Sequence, residues 1–323
     1  MKWIYVLCSI TIVCFFSSCY DEKTLTPTED GEGMIRYEFP QGTNSWDKDI
    51  EEIAEKFHVY LIYKNFKTAD FNRSWTGMTG AVFMAGDLTD EQAEFSTNFM
   101  KNHVFAYLNE KVLAKVLPMY YYMAYDYHYI WRLEFGGMVL MEQKVMMSDV
   151  YDGMDFWAVC LYAENDDTEM EISNIIEPPV TKEDFYYRRG EILLHILDKS
   201  FEKGNIEVPV GFGDGIDYKT EVKWRYGDED DENYYIKRGF PGIMEVFDKD
   251  GFKKLEGISS INNIKNFLQY IHLGMYYTKE ALEKKMPQAK YPLIWEKRNF
   301  VVNYMKTNYD IDLEAIAEGP EIN

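Results

Sequence analysis

TKEDFYYRRGEILLHILDKSFEKG, residues 181–204, is the stretch on which the reading of this chain turns. Thr181 is followed three residues later by Asp184, a helix start with its acids at the end that the helix dipole favours. Gly204 suits the left-handed cap that stops a helix. The pattern predicts a helix from about Lys182 to Lys203. Residues three and four apart share a helix face, so Glu191, His195 and Asp198 fall on one stripe, with Glu202 a turn further on.

A stripe with one histidine and two acids raises the question of a metal. Zinc-dependent hydrolases use two histidines four apart as ligands, a glutamate beside the first as base, and a third ligand from elsewhere. The base takes a proton from metal-bound water and hands it to the leaving group. With His195 as the second histidine, Glu191 takes the first ligand position and Ile192 the position of the base, where isoleucine cannot accept a proton. With Glu191 as the base instead, the ligands become Gly190 and Leu194. Neither register rebuilds the motif. On residues alone the stripe reads as a half-exposed helix edge with one satisfied histidine and ordinary surface acids.

The first residues point to export. Lys2 precedes an uncharged, largely apolar run from Trp3 to Phe16, then Ser17, Ser18 and Cys19. The run is short for a membrane span and has the layout of a signal peptide, residues 1–18. Phe-Ser-Ser-Cys resembles a bacterial lipobox, in which Cys19 carries the lipid and anchors the protein to the membrane. Residues 19–33 then form a polar, acidic, Pro- and Gly-punctuated tether. The acids just after Cys19 look like the surface-export signals of lipoproteins in glycan-using gut anaerobes, which implies an outer-membrane, cell-surface address. With Cys8 and Cys14 removed and Cys19 acylated, Cys160 is the one free thiol, so no intrachain disulfide can form. The net charge of -21 disfavours nucleic acid as a partner.

The chain's 323 residues, 16% of them aromatic, suffice for a folded core over 34–323. Residues 34–165 read as a mixed helix and strand part, with a short strand at 34–41, a helix at 46–57 and a strand at 58–64. Helical stretches follow from Leu88 to Phe105 and from Tyr107 to Val116, then strands from 119 through to Asn165. The aromatic run MYYYMAYDYHYIW at 119–131 is a strand core before it is a set of stacking platforms for sugars or peptide. After Pro178-Pro179, residues 181–323 read as mainly helical, with further helices at 262–276, 278–286 and 293–308. The fold class is α+β.

From Asp184 onward the order of features resembles a family of bacterial lipoproteins described as zinc-binding metallopeptidases. EILLHILDK (191–199) follows the apolar frame of that family's H-E-F-x-H-I-L-H-Q helix. VKWRYG (222–227) and YYIKRGFPG (234–242) look like its tryptophan loop and Gly-Phe segment, and NNIKNFLQYIHL (262–273) like its E-D-F-A-E helix. LIWEKRNFVVNYMKTNYDIDLEAI (293–316) is similar to its closing segment. The resemblance implies a zincin-like metallopeptidase scaffold. It also implies a degenerate site: His195 survives as a ligand, while Glu191 stands for a histidine, Ile192 for the base, Asn266 for the third ligand and Asp198 for a histidine. The expectation is a non-catalytic binding or accessory protein without a cofactor, taking a protein, peptide or glycan ligand. Two other readings stay open: an active zinc peptidase with a variant Glu191/His195/Asp198 site, and a structural partner of an outer-membrane uptake complex. His58, His103, His128 and His272 offer no replacement ligand set from sequence.

Overall fold

The computed structural model describes residues 35–73, 82–166, 170–259 and 261–321. The predicted signal peptide, the tether and Cys19 lie outside the described residues. The chain divides into two units, Met1–Glu38 and Phe39–Asn323. Of the first, residues 35–38 are described, and they form neither helix nor strand.

The second unit begins with a correction. Residues 39–41, predicted as part of a strand, form bends. The Gln41 side chain does the pairing instead of the backbone: its Oε1 accepts from Tyr63 N at 2.7 Å and its Nε2 donates to Lys64 O at 2.6 Å. Helix α1 (Ser45–Phe57) then leads into β1 (Tyr60–Ile62). α2 (Thr68–Phe71), β2 (Phe83–Gly86) and α3 (Asp90–Phe99) follow. The α3 start has a capping box, Thr89 with Gln92. The helix beyond it is shorter than predicted, because α3 passes into a π turn at Met100–Val104 and α4 covers only Glu110–Leu113. Asn109 caps α4, and Lys115 takes a positive φ of 59°, which ends the helical run before Pro118.

Strand β3 (Tyr120–Phe135) organises the sheet, with β4 (Met138–Met146), β5 (Asp149–Val150), β6 (Phe156–Tyr162) and β7 (Glu171–Ser173) after it. The sheet runs β5-β6-β3-β4-β7, and β1 and β2 also pair with β3. Over residues 120–122, β3 lies between two parallel neighbours, β1 and β6, and β6 continues beside it to Tyr125. Beyond, it takes two antiparallel ones, β2 and β4. The change of partners falls at Asp126, whose φ is 54°. Its carboxylate accepts from Lys144 Nζ at 2.8 Å and from Glu164 N at 3.0 Å, which ties the kink to β4 and to the end of β6. Tyr120, Tyr121, Tyr122 and Tyr127 are all fully buried, so this half of the aromatic run is core.

The regular elements after β7 are all helices: α5 (Lys182–Glu202), α6 (Asn263–Tyr276), α7 (Lys279–Lys285), α8 (Pro292–Tyr309) and α9 (Leu313–Glu318). Residues 203–259, expected within a mainly helical part, instead form turns, bends and two isolated bridges, Lys223 with Tyr234 and Ile243 with Lys253. The fold is α+β. α5 starts at the Thr181–Asp184 capping box and ends before Gly204, whose φ of 76° is the predicted left-handed stop. Ile192, Leu193, Ile196 and Leu197 are all fully buried, and the Arg189 guanidinium donates to Ile316 O at 3.0 Å, at the C-terminal end of α9. Cys160, the one cysteine among the described residues, is buried in β6, so there packing rather than disulfide bonding holds the body.

Gly190 shows how tightly α5 is seated. A Cβ there would stand 2.0 Å from the Phe247 ring. Gly190→Ala gains up to about 1 kcal/mol of helix propensity, against an overpacking cost of about 1–3 kcal/mol in a core that must shift. We expect a net loss of stability, read as a lower urea midpoint; an unchanged or raised midpoint would show that Phe247 moves freely.

Candidate functional site

The half-buried stripe of α5 is where the sequence placed its candidates. Each of them has a different partner. Glu191 meets Arg188, one turn back on the same helix, at 2.8 Å. The same guanidinium nitrogen, Nη1, donates to Asp149 Oδ2 of β5 at 2.9 Å. Arg188 Nη2 adds bonds to the carbonyls of Ser148 (3.3 Å) and Cys160 (3.1 Å). One cation thus sits between two carboxylates and two carbonyls, with only 14% of its side chain exposed. Burial, followed by the charge of Asp149, pushes the Glu191 carboxyl up to about 7, despite Arg188.

His195 faces the sheet. Its ring stacks on Tyr151 with centroids 3.6 Å apart and meets Trp157 edge-on at 4.9 Å. Burial brings its pKa down to about 4, so at neutral pH the ring is uncharged. Its Nε2 has no partner at hydrogen-bond distance, and neither do Asp149 Oδ1 or the hydroxyls of Tyr121 and Tyr151.

Asp198 turns the other way, to α6. Its Oδ1 lies 2.5 Å from His272 Nε2, while His272 Nδ1 faces Met244 O at 3.1 Å. Both ring nitrogens of His272 thus meet oxygen atoms, which fixes the ring between α5 and Met244. Sequence reasoning set His272 aside, and the register between α5 and α6 that brings it to Asp198 leaves no mark in either helix alone. Asn266, the counterpart of a third ligand, is buried and donates to Gly239 O and Tyr218 Oη, both at 3.2 Å. Ile192, in the position of the base, is fully enclosed in the core.

These residues do not fit zinc. Glu191 is held by a cation, His195 lies flat on a tyrosine, Asp198 is taken by His272, and Asn266 is bonded to the loop around Gly239. Among the described residues no three or more His, Cys, Asp or Glu side chains are grouped so as to hold a metal ion. The other histidines do not supply one. His103 stacks on Phe185 at 4.5 Å, His128 Nδ1 meets Asp126 O at 2.7 Å, and His58 caps α1.

No protein-family model matches the chain, and no curated protein matches it. One likeness to a solved structure stands out. That structure is described as "a putative zinc-binding metallo-peptidase from Bacteroides caccae ATCC 43185". The alignment covers 86% of this chain and 92% of the other, at 8% identity and a TM-score of 0.41. At that score the likeness assigns neither a scaffold nor an activity, and the site must be argued from its own atoms.

Elsewhere, an open groove of about 650 Å³ runs between α5 and the α6–α7 junction. Tyr186, Tyr187, Tyr276 and Tyr277 line it together with Lys284 and Lys285. Nothing in the sequence patterns singled it out, since its residues come from four separate segments.

Proposed function

We propose that this chain is a non-catalytic binding protein on a zincin-like metallopeptidase scaffold, exported and anchored through lipid on Cys19 to the outer membrane at the cell surface. The observation that carries the reading is the Asp149–Arg188–Glu191 group. A hydrolytic zinc site needs free donor atoms and a base at the metal-bound water. Here a guanidinium holds the carboxylate at the first ligand position, and the residue next to it is a buried isoleucine. The resemblance of residues 184–316 to the metallopeptidase lipoproteins supplies the scaffold part of the reading. The groove of tyrosines and lysines supplies a place for a ligand that offers a ring face and an anionic group, a chemistry that peptides and acidic glycans share.

Metal analysis tests this reading. The mature chain from position 19, carrying Cys19→Ser to remain soluble, is expected to contain far less than one zinc per molecule after dialysis against zinc. Its hydrolysis of a mixed peptide library is expected to equal the buffer blank, with and without chelator. One tightly held zinc together with chelator-sensitive cleavage would establish the variant Glu191/His195/Asp198 enzyme instead.

A further inference from the structure

The β3–β4 hairpin carries a feature that the α5 site does not use. β2 accompanies β3 only as far as Tyr129, and β7 accompanies β4 only over Gln143–Val145. Among the described residues, 130–142 therefore pair only with each other as a two-stranded ribbon, closed by Gly136 and Gly137, both at positive φ. Every residue from 131 to 141 is exposed. Alternation and register sort them onto two faces. Arg132 pairs with Glu142 across the strands and shares one face with Glu134 and with Val139, which lies opposite Glu134 and is 51% exposed. The other face is apolar: Trp131, Leu133 opposite Met141, and Phe135 opposite Met138, exposed by 40%, 45%, 43%, 73% and 63% in that order. Leu140 sits at the register shift and is 59% exposed.

An isolated ribbon with one bare apolar face needs a cover. Five side chains exposed to this degree present roughly 500 Å², short of the ~800 Å² per partner that a stable protein interface buries. A second copy on this face alone would bind weakly. A lipid surface has no such requirement, because the chain outside the described residues leads to it. From Cys19 to Ile35 the backbone can reach at most about 55 Å, so a lipid on Cys19 keeps the body beside the bilayer. The ribbon suits an interface. From the Phe135 tip to Trp131 is about 13 Å of strand, with the indole at the end where tryptophan favours the headgroup level. Edges that no described strand pairs keep backbone groups that water must satisfy, which holds the ribbon at the surface and out of the hydrocarbon. Residues 133–143 contain two glutamates and neither lysine nor arginine, so the matching headgroups are zwitterionic.

We propose that the apolar face of the β3–β4 ribbon, Trp131, Leu133, Phe135, Met138 and Met141, docks on a zwitterionic phospholipid surface and orients the body against the membrane. The geometry rests on the lipoprotein reading for its proximity argument, and the test separates the two. The mature chain with Cys19→Ser is floated with phosphatidylcholine vesicles, beside a variant that also carries Phe135→Ser and Met138→Ser. Both substituted side chains are exposed, and an unchanged urea midpoint checks that the fold is kept. Wild-type surface residues are expected to co-float and the double variant to partition at least about tenfold less, the loss that two large apolar side chains account for. Phosphatidylglycerol vesicles are expected to bind more weakly than phosphatidylcholine. The proposal is overturned if the unacylated chain does not co-float, if the double variant binds equally, or if sedimentation shows a dimer that the double variant abolishes. Acylation of Cys19 in cells is followed separately by lipid labelling: vesicle binding without acylation removes the anchor and leaves the ribbon, and acylation without vesicle binding does the reverse.

Discussion

Arg188→Met is expected to lower stability by about 3–5 kcal/mol, the usual cost of leaving a buried charge without its partner. The substitution keeps the length and apolar stem of the side chain while removing the cation. It strands Asp149, whose side chain is 8% exposed, and Glu191 beside it, and it removes two donors from the carbonyls of Ser148 and Cys160. Adding Asp149→Asn and Glu191→Gln to the same chain is expected to restore more than half of the loss, because neutral amides tolerate each other where two carboxylates do not. Urea midpoints with matching m-values measure both steps. If Arg188→Met alone costs under about 1 kcal/mol, the group is open to water, and its part in closing the site is wrong.

The second large effect is a pH dependence centred on Glu191. Burial raises its folded pKa from 4.5 to about 7, so between those values the folded protein keeps a proton that the unfolded chain has lost. Its contribution to stability is complete below the unfolded pKa and disappears as the pH rises through about 7. The full shift is equivalent to about 3 kcal/mol, and rather less for a carboxyl that is a third exposed, so roughly 2 kcal/mol is the expected change. His195 and His103 act in the opposite sense. Their folded pKa values are lowered to about 4 by burial, so they stabilise above the unfolded histidine value and lose that contribution as the pH falls through 4. Comparing the protein with Glu191→Gln at each pH isolates the glutamate. From pH 4.5 to 8 the variant should gain about 2 kcal/mol relative to the parent. A gap that stays constant across that range would mean that Glu191 is ionised throughout.

Local signals were the legible ones. Thr181, Asp184 and Gly204 placed both ends of α5 within a residue, and α6, α7 and α8 fell where periodicity put them. Each of those features is decided within one or two turns of chain. The strand assigned to residues 34–41 failed where its backbone is described because the competitor was a side chain: Gln41 offers an amide that imitates a strand neighbour. The site divided in the same way. Arg188 and Glu191 are three apart on a helix, a spacing that could have been read as a pair before any question of metal arose. Asp149, which makes that pair a group of three, comes from β5, and His272 reaches Asp198 from another helix. Neither partner is written in the residues around α5. The histidine of the stripe drew attention, while the arginine one turn before Glu191 proved the more informative letter.

The shared strand β3 has a consequence for how the protein is made. Tyr120 pairs with Tyr60 on one side and with Phe156 on the other, so the centre of the sheet waits for chain segments far apart in sequence. Contacts of such long range must pay loop-closure entropy before they return any stability, and they slow folding. Under the export reading, the chain crosses the inner membrane from its N-terminus, and β1 arrives with no strand to join. It gains its partner only when β3 follows, and β3 is flanked on both sides only after β6 has emerged. Folding is then a late, collective event that waits for β6.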